Sequence, residues 1–160
     1  MFAAKLTNKT VSDKQGEYIV KVSYKHEPAQ YLCGCEGPKG NRSASFTSIP
    51  GNLFYKEVKI FPSTKAAKDY LSIAFQISDN PSAHRLTIMK RPKQVYIIKY
   101  GASYLIHKNP HSVTMNREMQ YAKLFFNQKE AERVAESLNR RNYTSFFSFE
   151  VIMVTEENLK

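Results

Sequence analysis

Apolar residues in the second half of the chain follow the two-residue spacing of β-strands, before and after one helical segment. The stretch QVYIIKYGASYLIHK is rich in β-branched and aromatic residues and carries Gly101 in its middle. This pattern predicts a hairpin of strands 94–100 and 103–107. Further along, YAKLFF (121–126) predicts a short third strand and SFFSFEVIMV (145–154) predicts a closing strand.

Between these last two strands, the apolar spacing changes to that of an amphipathic helix over residues 128–141. Asn127 is a favourable N-cap, and Glu130 three residues later completes the capping-box pattern. The residues on the predicted inner face are Ala131, Val134, Ala135 and Leu138. The second half therefore predicts the order β-β-β-α-β.

The first half of the chain repeats this order of predicted elements. Its predicted strands are EYIVKVSY (17–24), QYLCG (30–34), KEVKIF (56–61) and HRLTIMK (84–90). Ser63 precedes a predicted helix over 64–76, whose inner face would carry Ala67, Tyr70, Leu71 and Ala74. Four residues are identical in one gapless register, namely Lys59/Lys123, Phe61/Phe125, Lys65/Lys129 and Ala67/Ala131.

These patterns predict an α+β fold of tandem duplicated β-β-β-α-β units, each a small, mainly antiparallel sheet with one packed helix. The first unit would span residues 1–91 and the second residues 92–160, with Pro92 in the joint MKRPKQ. The first unit is longer, and its extra residues predict a long inserted loop over 35–55, rich in Gly, Pro, Ser and Asn. A chance similarity of two ordinary α+β patterns is the alternative.

The charge of the chain is its strongest compositional signal. The formal net charge is +10, and the excess of Lys and Arg is greater in the first half. A basic protein favours an anionic partner, either nucleic acid or an acidic protein surface. No apolar run approaches the roughly 18–20 residues that span a bilayer, and the N-terminal residues lack a signal peptide's apolar centre. We therefore expect a cytosolic protein without a membrane partner.

Residues that would carry catalysis or bind a cofactor do not form a recognisable motif. The histidines have no ligand spacing, and GPKGNRS does not match a phosphate-binding loop. Cys33 and Cys35 are too few for a structural zinc site and too close for an unstrained disulfide, so we expect two reduced thiols at a strand end. The sequence thus predicts a non-enzyme without a metal or cofactor.

Basic residues at three places are the candidate partner-binding residues. They are Lys39 and Arg42 in the inserted loop, Lys90, Arg91 and Lys93 around the joint, and Arg140 and Arg141 after the second helix. Such a surface would steer the chain toward an acidic partner protein. Together with strand aromatics it could instead hold nucleic acid without sequence preference, although no nucleic-acid-binding motif is present.

The segments YIIKYGASYLIHK, YAKLFFNQKEAERVAESLNRR and FEVIMV, in a chain rich in Lys and Asn, resemble the small early accessory proteins of T-even-like tailed bacteriophages. Those proteins include inhibitors of the host's ATP-dependent Lon protease. The resemblance covers most of residues 94–154 and, more loosely, 17–90. It implies a non-enzymatic protein in the host cytoplasm that binds and inhibits or redirects a host protein, with Lon as a candidate.

Overall fold

The computed structural model describes residues 15–23, 28–36, 43–49, 51–75, 85–109, 112–141 and 146–159. Over these ranges the chain is α+β, with two antiparallel four-stranded sheets and two α-helices. The chain divides into two compact units, and the boundary falls between Arg91 and Pro92.

The first unit contains strands β1 (Tyr18–Ser23), β2 (Gln30–Glu36), β3 (Ser43–Phe46) and β4 (Arg85–Lys90), with helix α1 (Thr64–Phe75) between β3 and β4. Its sheet has the order β3-β2-β1-β4, and every neighbouring pair is antiparallel. The predicted strands 17–24, 30–34 and 84–90 are confirmed within one or two residues at each described end.

The second unit contains strands β5 (Gln94–Tyr100), β6 (Ser103–Lys108), β7 (Val113–Asn116) and β8 (Phe149–Thr155), with helix α2 (Gln128–Asn139) between β7 and β8. Its sheet has the order β7-β6-β5-β8, again antiparallel throughout. The predicted hairpin is confirmed. Gly101 occupies its turn with a φ of +56°, a left-handed conformation that glycine adopts without a Cβ penalty.

Both helices begin where the sequence predicts, and each has a side-chain cap. The Ser63 hydroxyl accepts a hydrogen bond from the Ala66 N–H at 3.1 Å, and the Asn127 carboxamide oxygen accepts one from the Lys129 N–H at 2.9 Å. These bonds satisfy backbone donors that have no partner inside the helix.

The apolar face of each helix packs on one face of its own sheet. The first cluster is formed by Tyr18, Val20, Leu32, Phe61, Ala67 and Leu71. The second is formed by Ile98, Leu105, Phe125, Ala131, Ala135 and Leu138. The predicted inner faces are therefore confirmed, except for Ala74, whose side chain lies outside the described part of the chain.

The predicted third strands were wrong. In the second unit the third strand is β7, and 121–126 instead runs toward α2 with one isolated bridge, between Phe125 and Tyr96. Phe125 is buried under the helix, so the apolar character of this segment reflects core packing and not a strand ladder. In the first unit 56–61 behaves likewise, with one bridge between Phe61 and Tyr18.

The extra residues of the first unit do not form one excursion over 35–55. Strand β2 continues to Glu36, and β3 lies inside that range. The connections of the first unit are longer at several points, for example residues 24–29 between β1 and β2 against 101–102 between β5 and β6.

Candidate functional site

An open depression of about 350 Å³ lies beside the C-terminal half of α2. It is lined by Arg133, Glu136, Ser137, Arg140 and Arg141. The spacings of four, seven and eight residues from Arg133 place Ser137 and both later arginines on one side of the helix. We refer to Arg133, Ser137, Arg140, Arg141 and the neighbouring Lys108 as the cationic face.

Lys108 joins this face from a different element. It is the last residue of β6, and its Nζ donates a hydrogen bond to the Ser137 hydroxyl at 3.3 Å. Because the hydroxyl accepts from the ammonium group, its own hydrogen is directed elsewhere and can be donated to an anion. A lysine of β6 and a serine of α2, 29 positions apart in sequence, thus come together in the second unit.

The cationic face has one carboxylate among its positive groups. Glu136 Oε2 lies 4.0 Å from Arg140 Nη2, and the two side chains are 69% and 80% exposed. An ion pair this exposed stabilises a helix very little, since water screens it. A carboxylate from a partner can therefore exchange with Glu136 at small cost.

The backbone that carries the last two arginines is held by the end of α2. The Arg140 N–H donates to the Glu136 carbonyl at 3.0 Å, and the Arg141 N–H donates to the Leu138 carbonyl at 3.1 Å. Positive side chains here also oppose the partial negative charge of the helix C-terminus. The interaction with the helix C-terminus explains one basic residue at this end of α2. It does not explain Arg133 or Lys108.

Three of the other predicted partner-binding residues, Lys90, Arg91 and Lys93, fall in the part of the chain that the structure describes. Lys90 ends β4 and Lys93 precedes β5, and both are exposed. Neither they nor Arg91 lines the depression. Lys39 and Arg42 lie outside the described residues. Of the predicted set, Arg140 and Arg141 line this depression.

Arg91 has a structural role inside the first unit. Its side chain is 15% exposed and lies 3.4 Å from the Glu17 carboxylate. The backbone N–H of Arg91 donates to the Glu17 carbonyl at 2.8 Å. These contacts hold the end of β4 against the segment before β1. Charge reversal at Arg91 would place two carboxylates together, so it would test stability more than partner binding.

Sequence reasoning missed Arg133, Ser137 and Lys108. The helical spacing of Arg133 relative to Arg140 and Arg141 is a signal that could have identified it. No comparable signal exists for Lys108, because its approach to Ser137 depends on how the helix packs on the sheet.

A second depression, of about 380 Å³, lies beside β2 in the first unit, and its lining includes Cys33, Cys35, Tyr55 and Glu57. The two cysteines form no disulfide and lie in the last four residues of β2, as predicted for thiols near a strand end. Burial, and then the negative charge of Glu57, raise the pKa of the Cys33 thiol. A thiol with a raised pKa is protonated at neutral pH and is a poor nucleophile.

Within the described ranges, no cluster of three or more His, Cys, Asp or Glu residues could hold a metal ion. No helix in the same ranges is both long enough and apolar enough to cross a bilayer. Comparison of the chain with known protein families, with curated proteins and with solved structures found no match.

Proposed function

We propose that this chain is a non-enzymatic protein that binds an acidic protein partner through the cationic face of α2. The observation that carries the proposal is the convergence of Arg133, Arg140 and Arg141 around one depression, with Lys108 bonded to Ser137 at its side. Arginine presents several donors in a planar fork, which suits paired hydrogen bonds to carboxylates.

Comparison of the two helices supports a binding role over a structural one. In the gapless register that aligns Ala67 with Ala131, Asp69 stands where the second unit has Arg133, and Ile73 stands where it has Ser137. Both helices begin with a side-chain cap and pack on a sheet in the same way. Because α1 packs without a cationic face, packing alone does not require one on α2.

We further propose that the two units arose by tandem duplication of one β-β-β-α-β unit. The strand orders β3-β2-β1-β4 and β7-β6-β5-β8 correspond element by element. The Lys59 N–H donates to the Leu32 carbonyl at 2.8 Å, and the Lys123 N–H donates to the Leu105 carbonyl at 2.7 Å. In each unit this same lysine also extends its ammonium group over a core phenylalanine ring. On this account the two units diverged at the positions of the cationic face after duplication.

The biological setting of the proposal is infection of a bacterium by a tailed phage. The resemblance of residues 94–154 to small early phage proteins supports it, as does the net charge of +10. The partner would be a host protein with an acidic surface in the host cytoplasm, and the ATP-dependent Lon protease is the candidate. Binding would inhibit or redirect that protein without any chemical step by this chain.

Nucleic acid is the second candidate partner, because the same arginines could hold phosphates. The arrangement favours a protein. The depression is a local patch at one helix end, whereas a strand of nucleic acid needs a longer basic track.

An affinity pull-down of the tagged protein from bacterial lysate, with and without nuclease, tests the proposed function. We expect a discrete host protein that survives nuclease treatment, with Lon as the protein to look for in that band. Nucleic acid as the main bound material, lost at high salt with no stable protein band, would contradict the proposal.

A further inference from the structure

Two phenylalanines just before β8 are exposed to solvent. Phe146 is fully exposed and Phe147 is 60% exposed. Both fall in the closing strand predicted for 145–154, but β8 begins only at Phe149, so neither is part of the sheet. Large apolar side chains that remain exposed next to each other are a feature of interaction surfaces more than of solvated loops.

Phe147 packs against Tyr100, which in turn packs against Phe149. Its ring meets Tyr100 edge-on, with centroids 5.8 Å apart, and Tyr100 stacks on Phe149 at 4.5 Å. The ring of Phe147 also covers Gly101, where a Cβ would lie 3.5 Å from it. We refer to Phe146, Phe147 and Tyr100 as the aromatic end. Because Phe147 and Tyr100 are already fixed by packing, little side-chain conformational entropy would be lost there when a partner binds.

Asn139 connects the helix that carries the cationic face to β8, which follows Phe146 and Phe147 in the chain. The Asn139 carboxamide accepts from the Phe149 N–H at 2.7 Å and donates to the Phe149 carbonyl at 3.0 Å. Arg140 follows Asn139 directly, and Phe147 stands two residues before Phe149. At about 3.8 Å per residue, the Cα atoms of Arg140 and Phe147 lie within about 20 Å of each other. An extended peptide of about six residues spans that distance.

We propose that the cationic face and the aromatic end form one composite surface, which binds a protein segment carrying acidic residues next to an aromatic or large aliphatic side chain. This inference rests on the proposed function and specifies the partner's chemistry. The arginines supply charge complementarity, and the phenylalanines supply the apolar anchor. Arginine and aromatic residues together dominate the binding energy of many protein interfaces.

The test uses the full-length protein and two polymers as probes, poly-glutamate and a glutamate–tyrosine copolymer. Binding of each fluorescent polymer is measured for the wild type, Phe146→Ser and the double variant Arg140→Glu/Arg141→Glu. The matched controls are Ile73→Ser, an exposed apolar residue of α1, and Lys56→Glu/Lys68→Glu, two exposed lysines of the first unit. Oligothymidylate is a third probe.

We expect the copolymer to bind the wild type about tenfold more tightly than poly-glutamate. Phe146→Ser should weaken this preference and leave poly-glutamate binding unchanged, whereas Ile73→Ser should retain it in full. The double arginine variant should lose affinity for both polymers, and the double lysine variant should keep most of it.

Other outcomes separate the two proposals. An undiminished preference in Phe146→Ser, or no preference in the wild type, would overturn the composite surface while leaving the proposed function intact. Unchanged polymer binding by the arginine variant would overturn both. Tighter binding of oligothymidylate, lost in Phe146→Ser, would instead assign the aromatic end to base stacking and contradict the inference.

Discussion

At the scale of single residues, Asn139 links the helix that carries the cationic face to the strand that follows it. Its carboxamide bonds to both the N–H and the carbonyl of Phe149. An asparagine near a helix end is common in any sequence, and nothing in its neighbours indicates a partner ten residues away. Contacts of this kind depend on the tertiary fold, which is why sequence reasoning did not find it.

Replacing Asn139 by Ala should therefore destabilise the protein. Two part-buried hydrogen bonds are lost, and at about 1 kcal/mol each the free energy of unfolding should fall by about 2 kcal/mol. Urea unfolding followed by circular dichroism measures it. Asn116→Ala is the control, because its carboxamide accepts one bond in an exposed turn. Equal, small effects of both substitutions would contradict the linking role of Asn139.

The Cys33 thiol provides a test by pH. Its pKa is raised by burial and by Glu57, so the unfolded chain ionises this thiol first as pH rises past the ordinary thiol pKa of about 9. The thiol's contribution to stability is thus complete below that pH and is lost as pH rises toward the pKa of the folded protein.

In a Cys35→Ser variant Cys33 is the single thiol of the chain. We expect the pH midpoint of its alkylation by iodoacetamide to be higher in the folded protein than in urea, because only the thiolate reacts. The midpoint, unlike the absolute rate, does not depend on how easily the reagent reaches the sulfur. A folded midpoint equal to or below that in urea would contradict the environment described for Cys33.

At the scale of elements, local pattern was sufficient for the helices and for strands with strong alternation. The hairpin around Gly101 and the capped helix after Asn127 are specified by residues close in sequence. The third strands were not, because β3 and β7 are edge strands of only four residues, each with only two apolar side chains. The apolar segments before the helices have the stronger strand pattern, so the sequence predicts the third strands there. Their aromatic residues pack in the core instead.

Core phenylalanines at corresponding positions should have similar importance in the two units. Phe61 and Phe125 are both nearly fully buried between helix and sheet. Substitution of either by Ala should lower the free energy of unfolding of its own unit by about 3–5 kcal/mol. Hydrogen exchange resolved by residue measures each unit separately. Phe126→Ala is the control, since that side chain is 38% exposed, and it should cost about 1 kcal/mol or less.

A large effect at Phe125 with almost none at Phe61 would mean that the two segments are not equivalent. That result would count against a common origin for the units, because corresponding core positions would then differ in importance.

At the scale of the whole molecule, the net charge of +10 indicated an anionic partner but could not locate its site. The seven predicted residues were chosen as basic residues near loops and joints. The structure places Arg91 in a contact with Glu17 and gathers Arg140 and Arg141 with residues from β6 and the middle of α2. Charge in a sequence is a sum, whereas a site depends on which charges the fold brings onto one face.

The central claim is that the cationic face of α2 engages an acidic protein. It is tested most directly by the rate at which the purified partner associates with Arg140→Glu/Arg141→Glu, compared with Lys56→Glu/Lys68→Glu. Both variants change the net charge equally, so a difference between them reports position and not total charge. We expect the arginine variant to associate at least about tenfold more slowly at low salt, with a weaker salt dependence, and the lysine variant to remain near the wild type. Equal rates for the two variants would show that the cationic face is not the binding site.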